Sequence, residues 1–246
     1  MSQLLAVVLP GVLAAVLVGG LGMALASRGL AGEQLRARWL KFGVYLLVIA
    51  SELLLAAAGA LLWLALPVLL IAALECRRVL TRAGQERISP GERRGWWLAA
   101  VVLAAGLVGF CLLLPAAVQL LVVLEVLGFD GFSQVSGQLF GRHALVPRLS
   151  PAKTWEGLIG GTAACLLLAG LLRPLLGVPT GSALLLGAMT AALALAGDLG
   201  ASALKRRCGV KDFSRLIPGH GGVLDRFDSL LAVGTGWCLL TLITGG

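Results

Sequence analysis

Two stretches of this 246-residue chain hold most of the side chains able to do chemistry: FDGFSQVSGQLFGRHALVPRLSPAKTWEGLIGG (129–161) and GDLGASALKRRCGVKDFSRLIPGHGGVLDRFDS (197–229). Each begins with an aspartate inside apolar sequence, Asp130 and Asp198. A carboxylate is costly against lipid, so both are expected to face a polar cavity or partner. Asp198, Ser202 and Lys205 recur at i, i+4 and i+7, which places them on one helix face with the carboxylate about 10 Å deeper than the ammonium. Asp225 and Asp228, at i and i+3, share a second face, from which Arg226 is turned away. Carboxylates converging among cations suit Mg²⁺ and a phosphate substrate: the ion takes one or two carboxylates, keeps some water and lets phosphate oxygens complete its octahedron. Lysines and arginines neutralise the remaining phosphate charge. Gly219, Gly221 and Gly222 lack a Cβ, permit tight turns and let backbone N–H groups approach an anion. His220 is available as a phosphate donor or an acid. Taken singly, each residue has an ordinary role as an interfacial ion pair, a cap or a helix stop. Their concentration at one membrane depth is what favours chemistry.

The elements that must position these residues are membrane spans. The chain is 59% hydrophobic and 13% charged, and its apolar runs reach about 20 residues, enough to cross roughly 30 Å of hydrocarbon. A soluble domain does not cover so much apolar sequence with so few charges. Spans are expected near 3–26, 39–58, 60–80, 95–115, 116–138, 154–176, 180–206 and 224–244, giving an all-α polytopic protein of about eight helices. The boundary at Gly59 is the weakest, and one long bent helix is the alternative there. With eight helices, the loops 27–41, 76–95, 139–153 and 205–223 share a side, and every lysine and arginine except Arg173 lies in or just beyond them. That side is expected to be cytoplasmic and both termini non-cytoplasmic. The net charge of +8 then reflects topology, and nucleic acid is not an expected partner. Residues 3–26 read as a retained span, because Arg28, Arg36, Arg38 and Lys41 oppose translocation of the segment after it.

Smaller features fit this frame. Ser150 and Pro151 read as the N-cap and first position of a helix, whose N-terminus near Lys153 would suit a phosphate. The basic 76–95 loop reads as a topology anchor. Five separated cysteines read as packing residues, with no zinc set among them. Glu52 and Glu125 lie within spans and have no companion cluster. No linker divides the chain, so it is read as one domain, 1–246, with the catalytic part at 116–246 and a less characterised part at 1–115.

The run Ser202-x-x-Lys205-Arg206-x4-Lys211-Asp212-x5-Pro218-x-His220-Gly221-Gly222-x-x-Asp225-Arg226-x-Asp228 resembles the signature of the phosphatidate cytidylyltransferase, or CDP-diacylglycerol synthase, family. LSPAKTWEGLIGG and AGDLGAS resemble two further stretches of that family. The resemblance implies transfer of a cytidylyl group from CTP to phosphatidate, giving CDP-diacylglycerol and pyrophosphate, with Mg²⁺ and a second, monovalent cation such as K⁺. It implies metal ligation by Asp198 and Asp225, and catalytic roles for Lys205, Arg206, Lys211, His220 and Asp228. Substrate contacts are implied for Asp130, Lys153, Ser202, Asp212, Gly221, Gly222 and Arg226. It also implies a homodimer in the cell (inner) membrane with its site facing the cytoplasm. One departure is visible: many members read Asp-x-x-Ala-Tyr-x-x-Gly, whereas this chain has Gln134 in the tyrosine position of Asp130–Gly137. Three other readings stay open: a CTP-dependent transferase acting on another membrane lipid, an ion-conducting transporter, and an inactive relative that only binds.

Overall fold

The computed structural model of the chain describes residues 20, 24, 32–83, 87–217 and 221–245. The expected first span at 3–26, and Pro218, Gly219 and His220 of the turn, lie outside the described residues. Among those described, the order is α1 (Gly32–Ala57), α2 (Leu61–Arg82), α3 (Pro90–Leu113), α4 (Ala116–Phe140), β1 (Ala144–Val146), β2 (Ser150–Thr154), α5 (Trp155–Leu176), α6 (Thr180–Arg207) and α7 (Leu224–Thr244). The seven helices follow seven of the expected spans in order. All but α2 are long and apolar enough to cross a membrane. Helix α2 has 22 residues but carries Glu75, Arg77, Arg78 and Arg82 in its last two turns.

Several boundaries differ from expectation for local reasons. Helix α1 is already under way at Gly32, so Arg36, Arg38 and Lys41 lie on a helix and not in a loop. Helix α3 starts at Pro90, because Ser89 closes a capping box: its hydroxyl accepts from Glu92 N at 3.2 Å and its N–H donates to Glu92 Oε2 at 2.9 Å. Gly59, at φ +66°, separates α1 from α2, since a left-handed residue ends helical bonding and glycine adopts it at no steric cost. The expected helix start at Ser150 and Pro151 is overturned. Ser150–Thr154 pairs antiparallel with Ala144–Val146, and α5 begins only at Trp155, beneath Thr154, whose hydroxyl accepts from Gly157 N at 3.1 Å. Among the described residues the fold is therefore helical with one short hairpin.

Packing relies on close helix contacts more than on large side chains, as expected where lipid is as apolar as leucine. On α5, a Cβ added at Gly161 would stand 2.8 Å from the Phe129 carbonyl oxygen, and one at Gly157 would stand 2.7 Å from that of Ser133. These glycines let α5 lie directly on the α4 backbone. Gly161→Ala should therefore push the two helices apart at a cost of ~1–3 kcal/mol, read as a lower thermal midpoint of the detergent-solubilised protein. An unchanged midpoint would contradict the close approach. All five cysteines are free and buried, as expected of packing residues.

Helix α7 is the most enclosed element, with buried residues from Phe227 to Cys238 and contacts to α2, α3, α4 and α6. Trp237 Nε1 donates to Thr190 Oγ1 of α6 at 3.0 Å, which satisfies a polar group that has no water to turn to. Since α4 and α6 end where α5 and α7 begin, the connecting residues 141–154, 208–217 and 221–223 gather at one end of the bundle. Leu47, Trp63, Leu70, Leu98, Leu167, Leu185 and Ile243 are exposed on the outside, as suits a lipid-facing surface.

Candidate active site

At that end lies a cavity of about 810 Å³ lined by residues of α1, α4, α5, α6 and α7, the hairpin and the 208–223 segment. Its size is within the range of ligand sites. Its lining combines charged side chains, Asp130, Lys153, Asp198, Lys205, Asp212, Asp225, Arg226 and Asp228, with apolar and aromatic ones, Phe42, Tyr45, Phe129, Leu158 and Leu195.

Each charged side chain is held by an identifiable element. Lys153, near the end of β2, donates to Asp198 of α6 in an ion pair. One turn further along α6, the Ser202 hydroxyl faces Asp198 Oδ1 at 3.4 Å. Lys205 then donates to Asp225 Oδ1 at 2.6 Å, with 12% and 5% of the two side chains exposed. Asp225 Oδ2 accepts two backbone N–H groups, from Phe213 at 2.9 Å and Gly222 at 2.8 Å. Asp228 Oδ1 accepts from Ser229 N at 2.8 Å, and the Ser229 hydroxyl lies 3.4 Å from Asp130 Oδ1. Helices α6 and α7 come this close because residue 197 is glycine: a Cβ there would stand 2.5 Å from the Asp228 carbonyl oxygen. The two carboxylate faces read from the sequence therefore meet.

The expected site residues do not all line the cavity. Arg206 is exposed, its Nε donating to Leu149 O at 3.2 Å and its guanidinium to Val210 O at 3.4 Å, so it staples the hairpin turn to the 208–223 segment. Lys211 is exposed, and Ser202 is buried behind Asp198. Arg226, read as turned away, in fact lines the same cavity as Asp225 and Asp228. Glu125 is fully buried and is not part of the lining.

Three participants were not singled out in the sequence. Phe42 and the chain's single tyrosine, Tyr45, arrive from α1, and nothing in that helix's sequence sets them apart from other lipid-facing aromatics. Tyr45 lines the same cavity as Gln134. Glu75, near the C-terminal end of α2 just before Cys76-Arg77-Arg78, is 5% exposed and accepts from Ser214 Oγ at 2.5 Å, Val223 N at 3.0 Å and Leu224 N at 2.8 Å. The signal was there: an acid in an apolar run, the same logic that singled out Asp130.

No three His, Cys, Asp or Glu side chains among the described residues close around one point as a ready metal cage. The donor set still fits Mg²⁺, which needs only one or two protein carboxylates. A carboxylate offers about four lone-pair sites, and the bonds described above occupy two on Asp198 and three on Asp225. Each keeps acceptor capacity in a cavity that also holds lysines for phosphate.

Residues 4–243 match the model of the cytidylyltransferase family. A phosphatidate cytidylyltransferase of Haemophilus influenzae is 46% identical over 120 residues, covering 46% of this chain and 41% of that protein. One of Pseudomonas aeruginosa is 44% identical over 124 residues, covering 48% and 45%. An uncharacterized protein of Escherichia coli, YnbB, is 38% identical over 144 residues, covering 55% and 48%. The chain thus spans less than half the length of each of these relatives.

Proposed function

This chain belongs to the cytidylyltransferase family, and from that premise we propose that it transfers a cytidylyl group from CTP to phosphatidate, releasing pyrophosphate and leaving CDP-diacylglycerol in the membrane. The observation that carries the reading is the mixed lining of the cavity. Aspartates, lysines and an arginine line it together with Phe42, Tyr45, Phe129, Leu158 and Leu195, which suits a reaction joining a polyphosphate to the headgroup of a lipid. The open side of such a site belongs on the cytoplasmic face, where CTP is found.

The chemistry needs no protein base. A phosphate monoester has a second pKa of about 6, so at neutral pH the lipid phosphate is already largely dianionic. One of its oxygens attacks the α-phosphorus of CTP, the bond from that phosphorus to the bridging oxygen breaks, and pyrophosphate takes the electron pair. Lys153 and Lys205 offset the charge building on the phosphoryl oxygens and hold the groups in line. Each lysine is poised by an aspartate before substrate arrives, Lys153 by Asp198 and Lys205 by Asp225. Asp198 and Asp225 would hold Mg²⁺, with a monovalent cation among the remaining carboxylates; when bound, the divalent ion neutralises and orients phosphate oxygens.

The deciding assay gives the detergent-solubilised protein CTP, phosphatidate and Mg²⁺ and measures pyrophosphate and CDP-lipid. Both products should form, and excess EDTA should suppress both. No product with any phosphatidate tested would sink the proposal. Gln134 on the cavity wall favours a second reading, in which the acceptor is a different membrane lipid phosphate. Competition between such lipids and phosphatidate separates the two.

A further inference from the structure

Gly221 and Gly222 have the character of residues that bring backbone N–H groups to a bound anion, but the anions met around Gly222 are the protein's own. Gly222 donates to Asp225. The next two amides, Val223 and Leu224, donate to the two oxygens of Glu75. We propose that Glu75 is a positioning residue for the transfer site: it fixes the first turn of α7 and the 208–223 segment so that Asp225 and Asp228 face the cavity. The proposal rests on the function proposed above.

The geometry makes this a specific role. The first N–H groups of a helix have no partner within it, and Val223, the N-cap of α7, supplies no side-chain cap. Glu75 reaches across from α2 and takes two successive amides with two oxygens, which fixes both the height and the rotation of the turn. Its negative charge is also favoured at the positive end of the helix dipole. Asp225 follows Leu224 directly, and Asp228 lies one turn on, so their aim is set by this contact. The Ser214 hydroxyl, donating to the same Oε1, ties in the opposite limb of the segment. Asp225 binds both limbs as well, through Phe213 and Gly222.

Gly222 is explained by the same contact. A Cβ there would stand 2.6 Å from Glu75 Oε1 and 2.8 Å from Oε2, so no side chain fits while Glu75 is in place. Glu75 is not part of the lining of the main cavity, and it acts through the segment it holds.

Glu75→Gln keeps the volume but turns an amide NH₂ toward a backbone N–H. Expected is a kcat lower by ~10–100-fold with KM for CTP and phosphatidate moved by less than about threefold, the pattern of a lost transition-state arrangement. Amide hydrogen exchange should rise in peptides covering 213–224 and stay as in the wild type elsewhere. A second arm uses non-additivity: Gly222→Ala should be damaging alone, yet add nothing in a Glu75→Ala background, where the conflicting carboxylate is gone. Wild-type kcat with unchanged exchange at 213–224 would overturn the proposal. So would a rise in exchange throughout the chain with kcat per folded molecule unchanged, the mark of a general structural role. If Glu75→Gln does not fold, Ser214→Ala removes one of the three bonds to Glu75; it must raise exchange locally, or the proposal fails. Should the wild type make no CDP-lipid, the function is wrong, while the exchange pattern still decides the hold of Glu75 on the segment.

Discussion

Asp225→Asn is expected to reduce turnover by on the order of 10²–10³-fold or more, and to lower the thermal midpoint as well. The substitution keeps the volume but removes the charge and one acceptor. Asp225 has both oxygens engaged, Oδ1 by Lys205 and Oδ2 by the amides of Phe213 and Gly222. An asparagine satisfies one side with its oxygen and presents NH₂ donors to the other, where only donors wait. The ammonium of Lys205, 12% exposed, then loses its counter-ion; breaking one half of a buried pair costs ~3–5 kcal/mol. Two measurements separate the effects. Product formation from labelled CTP is compared well below the midpoint, where circular dichroism still reports the native helix content. Near-normal turnover there would show that Asp225 neither holds a metal nor sets the site.

Lys205→Met is the second large effect expected, on the order of 10²-fold in kcat/KM. Methionine follows the same path along the cavity and keeps contact with Phe213, over whose ring the lysine ammonium sits at 5.4 Å. What it lacks is the charge that offsets the phosphates and balances Asp225. Because the lysine and the aspartate act as one unit, the double variant Lys205→Met/Asp225→Asn should be about as impaired as the worse single variant, and not by the product of the two losses. Its stability should recover toward that of the wild type, since no unpaired buried charge is left. Multiplicative losses would mean that the two residues act on separate steps.

Much of the site was legible because helix periodicity is rigid. The spacing of Asp198, Ser202 and Lys205 required one face, and the structure has Ser202 on Asp198 and Lys205 reaching Asp225. The i, i+3 relation of Asp225 and Asp228 likewise required a shared face. Periodicity did not reveal that Arg226 lines the cavity too, because the spacing of residues fixes directions around a helix and not the extent of the space that surrounds its first turn. Arg206 belongs to the same basic run as Lys205 but turns to the Leu149 carbonyl, a choice made by a hairpin turn 57 residues away. That hairpin was itself hidden: Ser150-Pro151 satisfies a helix N-cap as well as a strand, and only pairing with Ala144–Val146 decides between them.

From sequence alone the chain reads as a set of apolar helices, with its candidate site residues concentrated in 129–161 and 197–229 and aspartates there sharing faces with cations. These properties come from composition and from the fixed 3.6-residue turn, which need no partner. Which lysine pairs with which aspartate, the arrival of Phe42 and Tyr45 from α1, and the room that Gly222 leaves for Glu75 all depend on how the helices pack. These are contacts between residues as much as 149 positions apart, set by how closely glycine-bearing helices approach, and no local pattern encodes them.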